Sequence, residues 1–223
     1  MSIHVRRLAT VLLVVGAAIQ FGSHQLRAST SGVVISQVYG GGGNSGATYK
    51  NDFIELFNAG ASPVDVTGWF VQYASSAGTS WTNRTILSGV IQPGHYYLVQ
   101  QAAGAGGTVS LPTPDASGSI AMSATAGKVV LFNTSTFPSS GTVCPSGPTV
   151  VDIVGYGAGT TCFEGTGPTA SLSNTTAALR AGAGATDTNN NPTDFAVSAP
   201  TPRNTDRKST RLNSSHITIS YAV

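Results

Sequence analysis

Asn51-Asp52-Phe53-Ile54-Glu55-Leu56-Phe57-Asn58 is the stretch that decides the fold class. Phe53, Ile54, Leu56 and Phe57 make its centre aromatic or aliphatic, and Asp52 and Glu55 interrupt it without creating a helical stripe. A short run of this kind between polar ends reads as a strand, buried over most of its surface. Upstream, Val33-Val34-Ile35-Ser36-Gln37-Val38-Tyr39 has the same character. The intervening Gly40–Gly46 stretch is glycine-rich and polar, so the two runs predict two strands joined by a loop.

The same reading extends along the chain. Further strands are expected at Trp69–Ala74, Arg84–Leu87, His95–Gln101, Lys128–Asn133, Val150–Tyr156 and Ala177–Arg180. Turn-forming clusters separate them at Ala59–Pro63, Gln92–Gly94, Pro138–Gly141 and Gly182–Pro192. No long stretch shows helical spacing with caps. With 27 Gly, 11 Pro and only 9% charged residues, the chain is a folded, glycine-rich β protein. The expected class is all-β, an antiparallel sandwich of about seven or eight short strands.

The two ends of the 223-residue chain read differently from its centre. Arg6 and Arg7 precede an apolar run from Leu8 to Ile19, too short to span a bilayer but suited to a secretory signal. Residues 1–28 are therefore read as a signal peptide, with cleavage between Ala28 and Ser29 and no membrane span afterwards. This predicts a secreted or cell-surface protein. At the other end, residues 206–223 (DRKSTRLNSSHITISYAV) resemble translated adapter or vector sequence and read as a non-native or disordered tail. The formal charge of +2 belongs to these ends. Between residues 29 and 205 there are five cations (Lys50, Arg84, Lys128, Arg180, Arg203) against eight carboxylates, a net −3. Phosphate recognition relies on Lys and Arg, so strong autonomous nucleic-acid binding is not expected.

The residues able to carry chemistry are few. His95 is the one histidine between 29 and 205, and its position in an expected strand favours a half-exposed structural residue over a catalytic base. There is no G-x-S-x-G elbow. Asp52 and Glu55 lie three apart on a strand and face opposite sides, which argues against an acid/base pair. Gly41–Gly46 satisfies G-x-G-x-x-G by letter, but a strand follows where a dinucleotide site needs a helix N-terminus. Cys144 and Cys162 are the only cysteines, and in an exported chain they predict an intradomain disulfide. Asp187, Asn189, Asn191 and Asp194 supply oxygens at alternating positions and are the candidate ligands for calcium, the one cofactor the sequence suggests. Pro192 stands where an EF-hand-like loop needs glycine, and an Asx-rich turn explains the same residues without a metal. Trp69, Phe70, Tyr73, Trp81, Tyr96 and Tyr97 form either core or a stacking platform.

Several blocks together resemble the lamin-tail domain. They are Val33-Ile35-Gln37-Val38-Tyr39, Asn51–Asn58, Val64-Asp65-Val66-Thr67-Gly68-Trp69, Pro93–Val99, Val151–Tyr156, Ala178-Leu179-Arg180 and Pro200-Thr201-Pro202-Arg203-Asn204. The resemblance spans about residues 32–205 and implies an immunoglobulin-like β-sandwich over 29–205. Within it Glu55 matches the family's Ile-Glu-Leu motif and is expected to be a structural hydrogen-bonding residue. In bacteria such domains occur in secreted and surface proteins, often joined to endonuclease/exonuclease/phosphatase-type hydrolases. The resemblance therefore implies a non-catalytic binding, targeting or scaffold module, the N-terminal part of an extracellular nuclease or phosphatase whose catalytic domain is missing here. The alternative is a free-standing cell-surface or matrix binding protein with a protein, polysaccharide or nucleic-acid ligand. The surface ligand itself is not identified by the sequence.

Overall fold

Strand β1 (Val33–Tyr39) pairs antiparallel with β2 (Asn51–Asn58) in the computed structural model, which describes residues 31–136 and 141–207. The signal peptide, the Ala28/Ser29 cleavage point, most of the Pro138–Gly141 turn and the tail beyond Arg207 lie outside the described residues. The remaining strands are β3 (Val64–Asp65), β4 (Phe70–Ser75), β5 (Asn83–Ile86), β6 (Val90–Ile91), β7 (Tyr96–Ala103) and β8 (Ala116–Ser117). They are followed by β9 (Gly127–Phe132), β10 (Val150–Tyr156), β11 (Ala177–Arg180) and β12 (Phe195–Ser198). A single helical turn, α1 (Asn191–Asp194), precedes β12.

Two sheets face each other. The first has six strands in the order β12-β11-β1-β2-β7-β8, the second four in the order β10-β9-β4-β5, and β3 and β6 form a small third ribbon. All named pairings are antiparallel except β7 with β8. Val33, Ile35, Val38, Ile54, Leu56, Tyr97 and Val99 from the first sheet meet Val71, Tyr73, Val129, Leu131, Val154 and Tyr156 from the second. This is the antiparallel sandwich expected from the hydrophobic runs, in the immunoglobulin-like form that the resemblance implied.

The outer faces are covered as well, which is why the strands read as continuous runs rather than as strict alternation. On the six-stranded sheet, Tyr39, Phe53, Leu98 and Ala177 form one outer cluster, and Val34, Phe57 and Tyr96 form another. Between these clusters lie Ser36, Gln37 and Glu55, all fully buried. On the four-stranded sheet, Phe70, Ala74, Trp81, Val130, Phe132, Ile153 and Cys162 pack under loops. The aromatic candidates are accordingly core or partly buried, and none belongs to the large hydrophobics exposed among the described residues. The Gly41–Gly46 loop is a strand-to-strand connection. Gly43 has φ of +70°, and a Cβ there would stand 2.1 Å from the Gly104 nitrogen, so the position needs glycine for its own packing.

Candidate functional site

Two buried charge networks organise the domain. The first bridges the sheets. The β1 ladder slips at Ser36, between the Ile35 and Gln37 pairings, and a bulge of this kind leaves backbone groups without their ladder partners. The Ile35 N–H donates to Asp152 Oδ2 of β10 at 2.6 Å, and the Ile35 carbonyl accepts from Arg180 Nε of β11 at 2.8 Å. Arg180 Nη2 and Asp152 Oδ2 close the triangle at 2.6 Å. The other face of the guanidinium meets Asp187 at 3.1 Å and Asp194 at 3.6 Å, and its ring neighbour is Phe195. Burial opposes the charge on Arg180, but the surrounding carboxylates outweigh it and hold the guanidinium protonated.

Glu164 completes this network. Burial, with the adjacent Asp152 and Asp187 charges, pushes its carboxyl up to about 10. Its neighbour Asp152 is raised too, by burial against the pull of Arg180. Glu164 Oε2 and Asp152 Oδ1 are both buried without a hydrogen-bond partner. A proton retained on Glu164 and turned toward Asp152 would satisfy both atoms.

The second network sits on the outer face of the six-stranded sheet. Glu55 Oε1 accepts from the Ser36 hydroxyl at 2.6 Å, and the Gln37 amide donates to both carboxylate oxygens at 3.0 Å. From the far end of the chain, the Arg203 backbone N–H reaches Oε2 at 2.7 Å and its Nη2 reaches Oε1 at 2.7 Å. Burial raises the Glu55 carboxyl, and the bonds from Arg203, Ser36 and Gln37 counter that rise. The expected hydrogen-bonding role of Glu55 is what the structure shows. Asp52, on the opposite face, accepts from the Gly42 and Met122 N–H groups at 2.8 Å each, and burial pushes its carboxyl up to about 7. His95 stands one residue before β7, half-buried, with Nδ1 2.7 Å from the Thr205 carbonyl.

The cysteines pair, Cys144 with Cys162, as expected. Beneath them the fully buried Lys128 donates through Nζ to the Val143 carbonyl at 2.8 Å and to Thr161 Oγ1 at 2.9 Å. Both partners are the residues immediately preceding a cysteine. The lysine and the disulfide thus fasten the same two loops, and desolvation lowers the lysine's basicity.

The four candidate calcium ligands take separate roles. Asn191 turns inward, donating to the Ile153 carbonyl at 2.9 Å and accepting from the Gly155 N–H at 2.8 Å, so its amide covers the edge of β10. Asp194 is fully buried and accepts from the Thr188 hydroxyl and the Thr188 and Asn190 N–H groups. Asp187 bonds Arg180 and the Asn189 N–H, and Asn189 itself has φ of +54°. The structure groups Asp187 and Asp194 around Arg180 and takes Asn191 elsewhere. Among the described residues, no cluster of three or more His, Cys, Asp and Glu side chains is arranged to hold a metal ion. No helix among them is long and apolar enough to cross a membrane.

Comparison with known proteins adds the family. The model of the lamin tail domain matches residues 27–158. The chain belongs to the lamin tail domain family. A lamin tail domain is a non-catalytic, immunoglobulin-like module. Strands β11 and β12 lie beyond the matched residues, yet they complete the same sheet. The fold is similar to the crystal structure of a DUF4876 family protein from Bacteroides thetaiotaomicron VPI-5482. That comparison has a TM-score of 0.50 and 13% identity, covering 81% of this chain and 75% of that one. Among curated proteins none matches this lamin tail domain.

The sequence by itself gives no site role to Arg180, Arg203, Asp152, Glu164 or Lys128. The signal available was a charge inside an apolar run, as in Val151-Asp152-Ile153, which demands a partner once buried.

Proposed function

We propose that this lamin tail domain is a secreted, non-catalytic targeting or scaffold module, the N-terminal part of an extracellular nuclease or phosphatase. The observation that carries the reading is the fate of its cations. Lys128, Arg180 and Arg203 are spent on internal carbonyls and carboxylates, leaving the surface poor in groups that grip phosphate. Such a domain supports a catalytic partner by position rather than by holding nucleic acid itself. The pinned exit of the chain favours the same role. Thr205 bonds Asp115, so the chain leaves the domain from a fixed point. The disulfide suits an oxidising compartment.

Sequencing the gene past codon 205 tests the reading directly. An in-frame hydrolase domain supports it, and an early stop supports a free-standing surface protein instead. A mobility-shift assay with residues 29–207 and duplex DNA is expected to show weak or no binding at physiological salt. Submicromolar, salt-sensitive binding would overturn the non-binding role.

A further inference from the structure

Residues 199–207 form no strand, yet they cross the whole outer face of the six-stranded sheet. The path starts at β12, passes over β1 and β2, and ends beside Asp115, next to β8. Crossing that sheet means spanning about 24 Å at roughly 4.8 Å per strand. Fully extended, Ser198 to Thr205 reaches about 24 Å. At that length the strap has little slack.

Its contacts follow the logic of linear-peptide recognition, with backbone clamps for affinity and one charged side chain paired to a buried carboxylate for specificity. The Gln37 amide holds the Thr201 backbone from both sides, donating to its carbonyl at 2.8 Å and accepting its N–H at 3.0 Å. Glu55 then receives the Arg203 backbone and guanidinium, and that guanidinium lies 3.6 Å from the Tyr96 ring centre. Asn204 donates to the Thr113 carbonyl at 3.0 Å, and the Thr205 N–H and hydroxyl both reach Asp115.

We infer that the Gln37–Glu55–Tyr96–Asp115 surface is a peptide-binding groove, filled in cis by Thr201–Thr205 and open to exchange with the same segment of a second copy of this chain. A trans occupant must present clampable backbone, an arginine two residues later, then Asn and Thr. A second copy carries that set, and exchange replaces each contact by its equal. An empty groove would leave the Glu55 carboxylate buried without its counter-charge, held only by Ser36 and Gln37, so the groove favours being filled over standing open. Exchange is therefore governed by chain concentration.

The experiment uses the full chain with its own strap weakened by Arg203→Ala, and a fluorescein-labelled peptide of residues 199–207. The peptide is expected to bind this variant and raise its Tm. An R203A peptide should bind at least about tenfold more weakly, as should the wild-type chain, whose own strap competes. Equal binding by both peptides overturns the groove. Mixed with the wild-type chain, the variant should form a dimer whose population rises with concentration and falls when free peptide is added. Monomers alone at hundreds of micromolar overturn the second copy as occupant. If Arg203→Ala does not fold, hydrogen exchange on the wild-type chain decides. The Thr201, Arg203 and Thr205 amides should exchange by a local opening well below global unfolding, and protection equal to that of β2 overturns the proposal.

Discussion

Asp152 and Arg180 meet between the sheets at 2.6 Å, and between them they satisfy both backbone groups of Ile35 at the β1 bulge. The ion pair thus joins β10 to β11 and repairs a ladder defect at once. Removing one partner of such a pair leaves an unmatched buried charge and costs about 3–5 kcal/mol. Arg180→Met is expected to fall in that range by urea unfolding. Asp152→Asn should cost less than Asp152→Ala, because the amide oxygen can still accept the Ile35 N–H. Equal losses for the two Asp152 variants would show that the bulge does not depend on this acceptor.

The Cys144–Cys162 bridge closes a sequence separation of 18 residues, for which loop entropy predicts a stabilisation of about 3 kcal/mol. The loss in the double serine variant should approach that figure in urea. Lys128 adds a second fastening to the same loops, so Lys128→Met should destabilise the serine variant and the oxidised parent by different amounts. Additive losses in the double-mutant cycle would mean that the ammonium and the disulfide act independently.

The strands were legible for a physical reason. Both faces of β2 are covered, so apolar residues fall on both of its sides, and the predicted bounds for β10 and β11 agree with the structure residue for residue. β12 escaped because only Phe195 of its four residues is buried, leaving no periodic signal. The strap escaped for a different reason. Pro200-Thr201-Pro202-Arg203-Asn204 has no period at all, and Arg203 finds Glu55 across 148 residues of sequence. Asp152 and Arg180 could be suspected singly from their apolar neighbours. Their pairing depends on strand order, which no local pattern contains.

Glu164 makes stability fall with rising pH. Its carboxyl is raised from an ordinary 4.5 to about 10, so the folded chain holds a proton that the unfolded chain releases. The associated stability is fully present below about pH 4.5 and is lost as pH rises through about 10, with a slope of at most about 1.4 kcal/mol per pH unit. Asp52 acts in the same direction but only from 3.8 to about 7, so the range above pH 7 separates the two. Glu164→Gln mimics the protonated acid and can still donate to Asp152. It should match the parent near pH 5 and exceed it near pH 9 in urea unfolding. Parallel stability curves would place the retained proton elsewhere.

The 187–194 loop is expected to be held by Arg180 rather than by calcium. Two of its carboxylates already face the guanidinium, and Asn191 is committed to the backbone of β10. Millimolar calcium should therefore leave Tm unchanged. The two acids should also differ in weight. Asp194 is fully buried and accepts three bonds from Thr188 and Asn190, whereas Asp187 is partly exposed and accepts from Arg180 and the Asn189 N–H. Deleting buried acceptors strands their donors, so Asp194→Ala should lower Tm clearly more than Asp187→Ala. A calcium-dependent rise in Tm that disappears in Asp187→Ala would reverse this reading and make the loop a cation site.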